Sequence, residues 1–198
     1  MAKRDWVTTT RDLQALRTSS DSDVWKRFHT HFFPVILNFA RKMGLPEADA
    51  EDAAQETMVA FLRAYQRGGY DRGKGRLTQW LFGVAKKVIL NRRRRLPPER
   101  QIPDKSSGTS FWNLVEDTAQ VTWDAEWRQM VLKKCLEKIR TECGDRIFRA
   151  FEMYALSSMP VDQVSRRLNM TKNAIYIAKT RVLSRLRELE REFESSLA

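Results

Sequence analysis

Pro160-Val161-Asp162-Gln163-Val164-Ser165-Arg166-Arg167-Leu168-Asn169-Met170-Thr171-Lys172-Asn173-Ala174-Ile175-Tyr176 reads as two helices broken by a tight turn. Pro160 suits the first turn of a helix, where its missing N–H costs nothing, and Ser158 is the expected cap. Asn169 is one of the few residue types besides glycine that accept the left-handed backbone a tight turn needs. Thr171 is a good N-cap for the next helix, expected to run to about Glu190. Val161, Val164 and Leu168 line the first helix, Met170 plugs the turn, and Ile175, Ala178 and Val182 line the second. Ser165 is small where two helices must approach. Its spacing to Asn169 and Ile175 is that of a helix-turn-helix. From Val161 to Arg191 there are eight Lys or Arg and three Asp or Glu. Thr171, Lys172, Asn173, Tyr176, Lys179 and Arg181 are the expected major-groove residues, with Arg185 and Arg187 continuing the basic surface.

Working outward, the chain of 198 residues carries a net charge of +11 and a pI near 10.0, with 42% hydrophobic residues. A core is therefore sustainable, and the charge calls for a polyanionic partner. Only 8 glycines argue for helices over a many-stranded sheet. The expected fold is all-α: two small helical domains joined by a flexible linker, the second containing the helix-turn-helix. The expected boundaries are an N-terminal extension at 1–21, a first domain at 22–95, a linker at 96–122 and a second domain at 123–198. Pro97, Pro98, Pro103 and the Ser106-Ser107-Gly108 run mark the linker. Phe111, Trp112, Leu114 and Val115 are apolar for a free tether and are expected to dock.

In the first block, Pro46 to Gln66 reads as a helix, with Ala50, Ala54, Met58, Phe61, Leu62 and Tyr65 on one face. Acids crowd its start, and no Lys or Arg falls between Lys42 and Arg63. Part of that suits the helix dipole, and an acidic face of this kind suits a basic protein partner. A second helix, about Leu77 to Arg95, has the apolar stripe Leu77, Trp80, Leu81, Val84 and Val88. Lys86, Lys87 and Arg92 to Arg95 then put six cations in ten residues. Four consecutive arginines exceed what capping needs, which favours phosphate contact.

Cys135 and Cys143 match no common zinc spacing, and His29 and His31 lie far from them, so no metal and no cofactor are expected. No apolar run approaches the ~20 residues of a membrane span, and Met1 to Arg17 have no signal-peptide core. Membrane insertion is not expected, and the expected location is cytoplasmic. No phosphate loop or nucleophile–base pair appears, so no enzyme is expected.

The two DNA-directed patches, the acidic helix and the broken linker together resemble the sigma-70 family, in particular its extracytoplasmic-function type. Ala50-Glu51-Asp52-Ala53-Ala54-Gln55-Glu56 is similar to that family's polymerase-binding segment. Gly75-Arg76-Leu77-Thr78-Gln79-Trp80-Leu81-Phe82-Gly83-Val84-Ala85 resembles its promoter-melting helix, Arg92 to Arg95 its basic end, and Val164 to Arg187 its helix-turn-helix. Thr10-Arg11, Trp25, Phe28 and Arg41 to Leu45 also look familial. Lys87 and Asn91 depart from the family's common Asn and Asp. The resemblance implies a sigma factor that binds core RNA polymerase and directs promoter-specific initiation. Asp49, Asp52, Gln55 and Glu56 would meet the β′ clamp helices, and the β subunit is a further expected contact. The residues expected to bind the minus-ten element are Arg76, Trp80, Phe82, Val84, Ala85, Lys86, Lys87, Arg92 and Arg93. By periodicity, Trp80 is instead a core anchor. The helix-turn-helix would take the minus-thirty-five element. In many relatives an anti-sigma factor is the regulator. The alternative is a helix-turn-helix regulator that binds duplex DNA without polymerase.

Overall fold

The computed structural model describes residues 22–97 and 109–197. The expected N-terminal extension, including Thr10-Arg11, and the middle of the expected linker lie outside the described residues. Every described element is helical. They are α1 Ser22–Lys42, α2 Glu47–Gln66, α3 Leu77–Arg94, α4 Thr109–Cys143, α5 Asp145–Phe151, α6 Val161–Leu168 and α7 Lys172–Leu197, with a 3₁₀ turn at Arg72–Lys74 and a π turn at Glu152–Leu156. None of the described helices is long and apolar enough to cross a membrane. The described residues divide into two compact units, the first reaching to Met130 and the second spanning Val131–Ser195.

The boundary differs from the expected linker. Residues 109–122 are helical, and the division between units falls after Met130, inside α4. The reason lies in Trp123 and Trp127. Trp123 is buried and meets Phe39 edge-on at 5.5 Å, and Trp127 stacks on Phe32 at 5.4 Å. Burial of the Trp123 indole, with half-buried Trp127 stacked beside it, anchors this part of α4 in the first unit. The expected docking of Phe111 and Trp112 falls outside the described side chains.

Aromatic packing builds the rest of the first unit. Phe28 lies 4.3 Å from Phe32 and 4.6 Å from Phe61, joining α1 to α2. The Met43–Pro46 turn is held by Arg41, which pairs with Glu47, and by Gly44 at φ 84°. On α2 the buried face is Ala50, Ala53, Ala54, Thr57, Met58, Phe61 and Tyr65. Leu62 lies at its edge. Thr57 is tolerated inside because its hydroxyl donates to the Ala53 carbonyl at 2.7 Å.

The buried row of α3 differs from the expected stripe. It is Leu77, Leu81, Ala85, Ile89 and Arg93, a strict four-residue repeat. Trp80, Val84 and Val88 flank it half-buried. Trp80 sits among Phe61, Tyr65 and Tyr70 at 5.2, 6.3 and 5.5 Å. Its bulk fits the edge of the packing, while small Ala85 lets the helices close up.

In the second unit, Val131, Cys135 and Ile139 line the end of α4. Burial pushes the Cys135 thiol up to about 11, as expected of an inert core cysteine. Ala150, Val164, Ile175 and Ala178 form a core cluster, with Met153, Tyr154, Met159, Leu168 and Met170 packed on it.

Candidate nucleic-acid and polymerase interface

On α2, Asp49, Asp52, Gln55 and Glu56 form one polar face, with Asp52, Gln55 and Glu56 exposed and Asp49 half-buried. Three of these residues meet a single guanidinium. Arg92 lies 3.3 Å from Asp49, 2.5 Å from Asp52 and 3.8 Å from Glu56. Arginine suits this place because its planar fork serves several carboxylates at once. The expectation that Arg92 meets DNA phosphate is therefore revised: its charge is directed at the acidic face. Arg93 is revised too. It falls on the buried row of α3 and donates to the Met43 carbonyl at 2.9 Å. Ala85 is fully buried, so the expected contact of its side chain with a base is set aside in favour of a core role.

The other expected minus-ten residues scatter. Phe82 is half-buried, with Phe39 at 5.8 Å and Trp123 at 5.7 Å, so its ring is engaged in the first unit's core. Val84 and Lys86 are half-buried, while Arg76 and Lys87 are exposed. A different row emerges on the outer side of α3: Arg76, Gln79, Gly83, Lys87, Asn91 and Arg94, all exposed. It combines cations with two amides. At Gly83 the backbone is bare, with nothing within 4 Å of where a Cβ would stand. Gln79 and Asn91 were not among the expected contacts. The signal that finds them is the buried row opposite, once Arg93 is counted in it.

At the start of α3 a groove of about 470 Å³ is lined by Tyr70, Lys74, Arg76, Gln79 and Trp80, among others. Tyr70 donates to the Gly75 carbonyl at 3.2 Å, and its burial raises its phenol above the usual tyrosine range. Gly69 has no room for a side chain, since a Cβ would lie 2.9 Å from the Ala64 carbonyl oxygen. Aromatic walls beside cations are what an unstacked base requires.

In the second unit, α6 and α7 flank a turn at residues 169–171. Asn169 is left-handed at φ 49° and ψ 50°. Ser165 donates to the Met170 carbonyl at 2.6 Å, and Arg146 donates to the carbonyls of Leu168 and Asn169 at 3.1 and 2.6 Å. Those bonds answer carbonyls that a helix end leaves open. Thr171 accepts from the Ala174 N–H at 3.2 Å, the expected N-cap. The cap of α6 differs from expectation: helix begins at Val161 with Pro160 before it and no side-chain cap bond. Ser158 is itself left-handed at φ 51°.

Of the expected minus-thirty-five residues, Thr171, Lys172, Asn173, Tyr176 and Arg181 are exposed. Lys172 pairs with Asp162 at 2.5 Å, a hydrogen bond that holds its ammonium above the usual lysine range. Lys179 is half-buried over the Tyr154 ring at 5.3 Å, and Tyr176 meets the same ring edge-on at 5.6 Å. Arg185, expected to extend the basic surface, is instead ringed by Glu142, Glu188 and Glu192 at 2.8, 3.0 and 3.5 Å.

Residues 28–96, within the first unit, match the sigma-70 region 2 family. Over 165 residues the chain is 29% identical to the ECF RNA polymerase sigma factor SigM of Bacillus subtilis (strain 168), covering 81% of this chain and 91% of that relative. These likenesses define the class, a non-enzymatic factor of transcription initiation. Residues 28–96 thus carry the pattern of a sigma-70 region 2, and the chain as a whole is similar to an RNA polymerase sigma factor of the extracytoplasmic-function type. Core RNA polymerase and promoter DNA are the partners of that family, and a regulator acting without polymerase is not favoured.

Proposed function

We propose that the two faces of the first unit divide the labour of initiation. The acidic face of α2, Asp49, Asp52, Gln55 and Glu56, meets basic residues of the β′ clamp helices, with Arg92 fixing the carboxylates in place. The outer row of α3, from Arg76 to Arg94, tracks the melted minus-ten strand. The groove beside Trp80 takes an unstacked base, where stacking is worth about 1–3 kcal/mol. The second unit lays the start of α7 into the major groove of the minus-thirty-five element and also contacts the β subunit. This work takes place in the cytoplasm, and an anti-sigma factor is the regulator class that the family suggests.

The observation that carries the reading is the sorting of charge within one unit. The acids gather on α2 around one arginine, and the outer side of α3 carries cations and amides only. A protein that met DNA alone would gain nothing from the acidic face, which phosphate repels. The test is retention of core polymerase by the immobilised chain. The triple change Asp52→Ala, Gln55→Ala, Glu56→Ala is expected to reduce it; undiminished retention overturns the clamp assignment.

A further inference from the structure

The buried side of α7 is set by Ile175, Ala178 and Val182, all 2% exposed or less. At about 100° per residue, Asn173, Ile177, Thr180 and Ser184 stand on the opposite side. All four are exposed. In the middle of this outer face is a large apolar residue, Ile177, with 58% of its surface open. Thr180 donates its hydroxyl to the Tyr176 carbonyl at 3.1 Å, inside the helix. Lys172 and Lys179, by contrast, lean to the flank, toward Asp162 and Tyr154. The outer face is therefore apolar at its centre and cationic at its margins.

That pattern fits one occupant. The excess of cations over α6 and α7 calls for a polyanion, and the apolar feature of a major groove is the C5-methyl group of thymine. We propose that Ile177 is a specificity-determining residue that packs on a thymine methyl in the upstream element. Asn173, one turn earlier, presents its amide to an adjacent base edge, adenine being the base whose N6 and N7 match an amide. This inference rests on the reading of α7 as the helix that enters the major groove.

The test uses holoenzyme assembled from the full chain and core polymerase. Upstream duplexes are first selected from a random pool. Each thymine of the selected element is then replaced, one at a time, by deoxyuridine, which lacks only the methyl. One replacement is expected to weaken binding about fourfold, the worth of one buried methyl group. Ile177→Ala should bind the thymine duplex correspondingly less well and ignore that replacement, while Ile177→Val keeps part of the sensitivity. Ile177 is exposed, so unchanged thermal melting of both variants verifies the fold. Indifference of the unmodified protein to every replacement overturns the proposal, as does a full penalty retained by Ile177→Ala or a selected element without thymine. If the holoenzyme leaves upstream DNA unprotected from cleavage, the major-groove reading itself fails and takes the proposal with it.

Discussion

Arg92 and Asp49 stand 43 residues apart in the chain and meet at 3.3 Å, part-buried between α3 and α2. Asp52 and Glu56 complete the ring of carboxylates. Arg92→Ala is expected to lower stability by about 1–2 kcal/mol, above an ordinary surface pair because one group serves three. It should also weaken polymerase retention, because the released carboxylates lose their fixed geometry. Arg92→Lys should fall between, since an ammonium lacks the fork. Urea melts and retention assays read both effects. The salt dependence of promoter binding should stay unchanged; a slope reduced by about one unit would return Arg92 to the phosphates.

Arg93 extends the buried row of α3, and its removal leaves the Met43 carbonyl without its donor. Arg93→Ala should cost about 1–3 kcal/mol in chemical denaturation. Lys87→Ala on the exposed side should cost almost no stability, yet reduce the salt slope of open-complex formation by just under one unit.

Asp162 pairs with Lys172 at 2.5 Å, so on the proposed reading Lys172 must leave it to reach DNA phosphate. Asp162→Asn should tighten upstream binding and steepen its salt dependence, because Lys172 is released to phosphate. Filter binding across a salt series measures this, and an unaltered slope would show that Lys172 stays off the backbone.

Glu142 is held below the usual carboxylate range by its hydrogen bonds from Arg185. A depressed folded-state value means that its contribution is present above the unfolded value of about 4.3 and is lost as pH falls through the lower folded one. The second unit should therefore lose stability on acidification through that window. Glu142→Gln should flatten this acid limb of the stability curve and leave the pH dependence near neutrality unchanged, as thermal melts across a pH series would read.

How much of this was legible in the sequence depends on the range of the interaction. The α6–α7 turn was legible because it is local: Asn169 and Thr171 are residue types with a stated backbone role, and both perform it. Composition extends the linker past Thr109, because adjacent prolines and a serine run dominate it, whereas Trp123 and Trp127 hold the helix through contacts in α1. The arginine run divides by helical phase. Arg93 lands on the buried row and Arg92 beside it, facing α2, and composition alone treats the two like their neighbours Arg94 and Arg95. Composition does not give the outermost place on α7 to Ile177 for the same kind of reason. Cations mark a DNA-facing helix, but the buried residues opposite decide which side chain stands outermost.

The most direct test of the account is transcription in vitro with core polymerase on genomic fragments, with and without the full chain. Discrete start sites that appear only with the chain, and that disappear with the Asp52, Gln55 and Glu56 triple change, are the predicted result. Tight duplex binding by the chain alone, with no start site added to core polymerase, would contradict it.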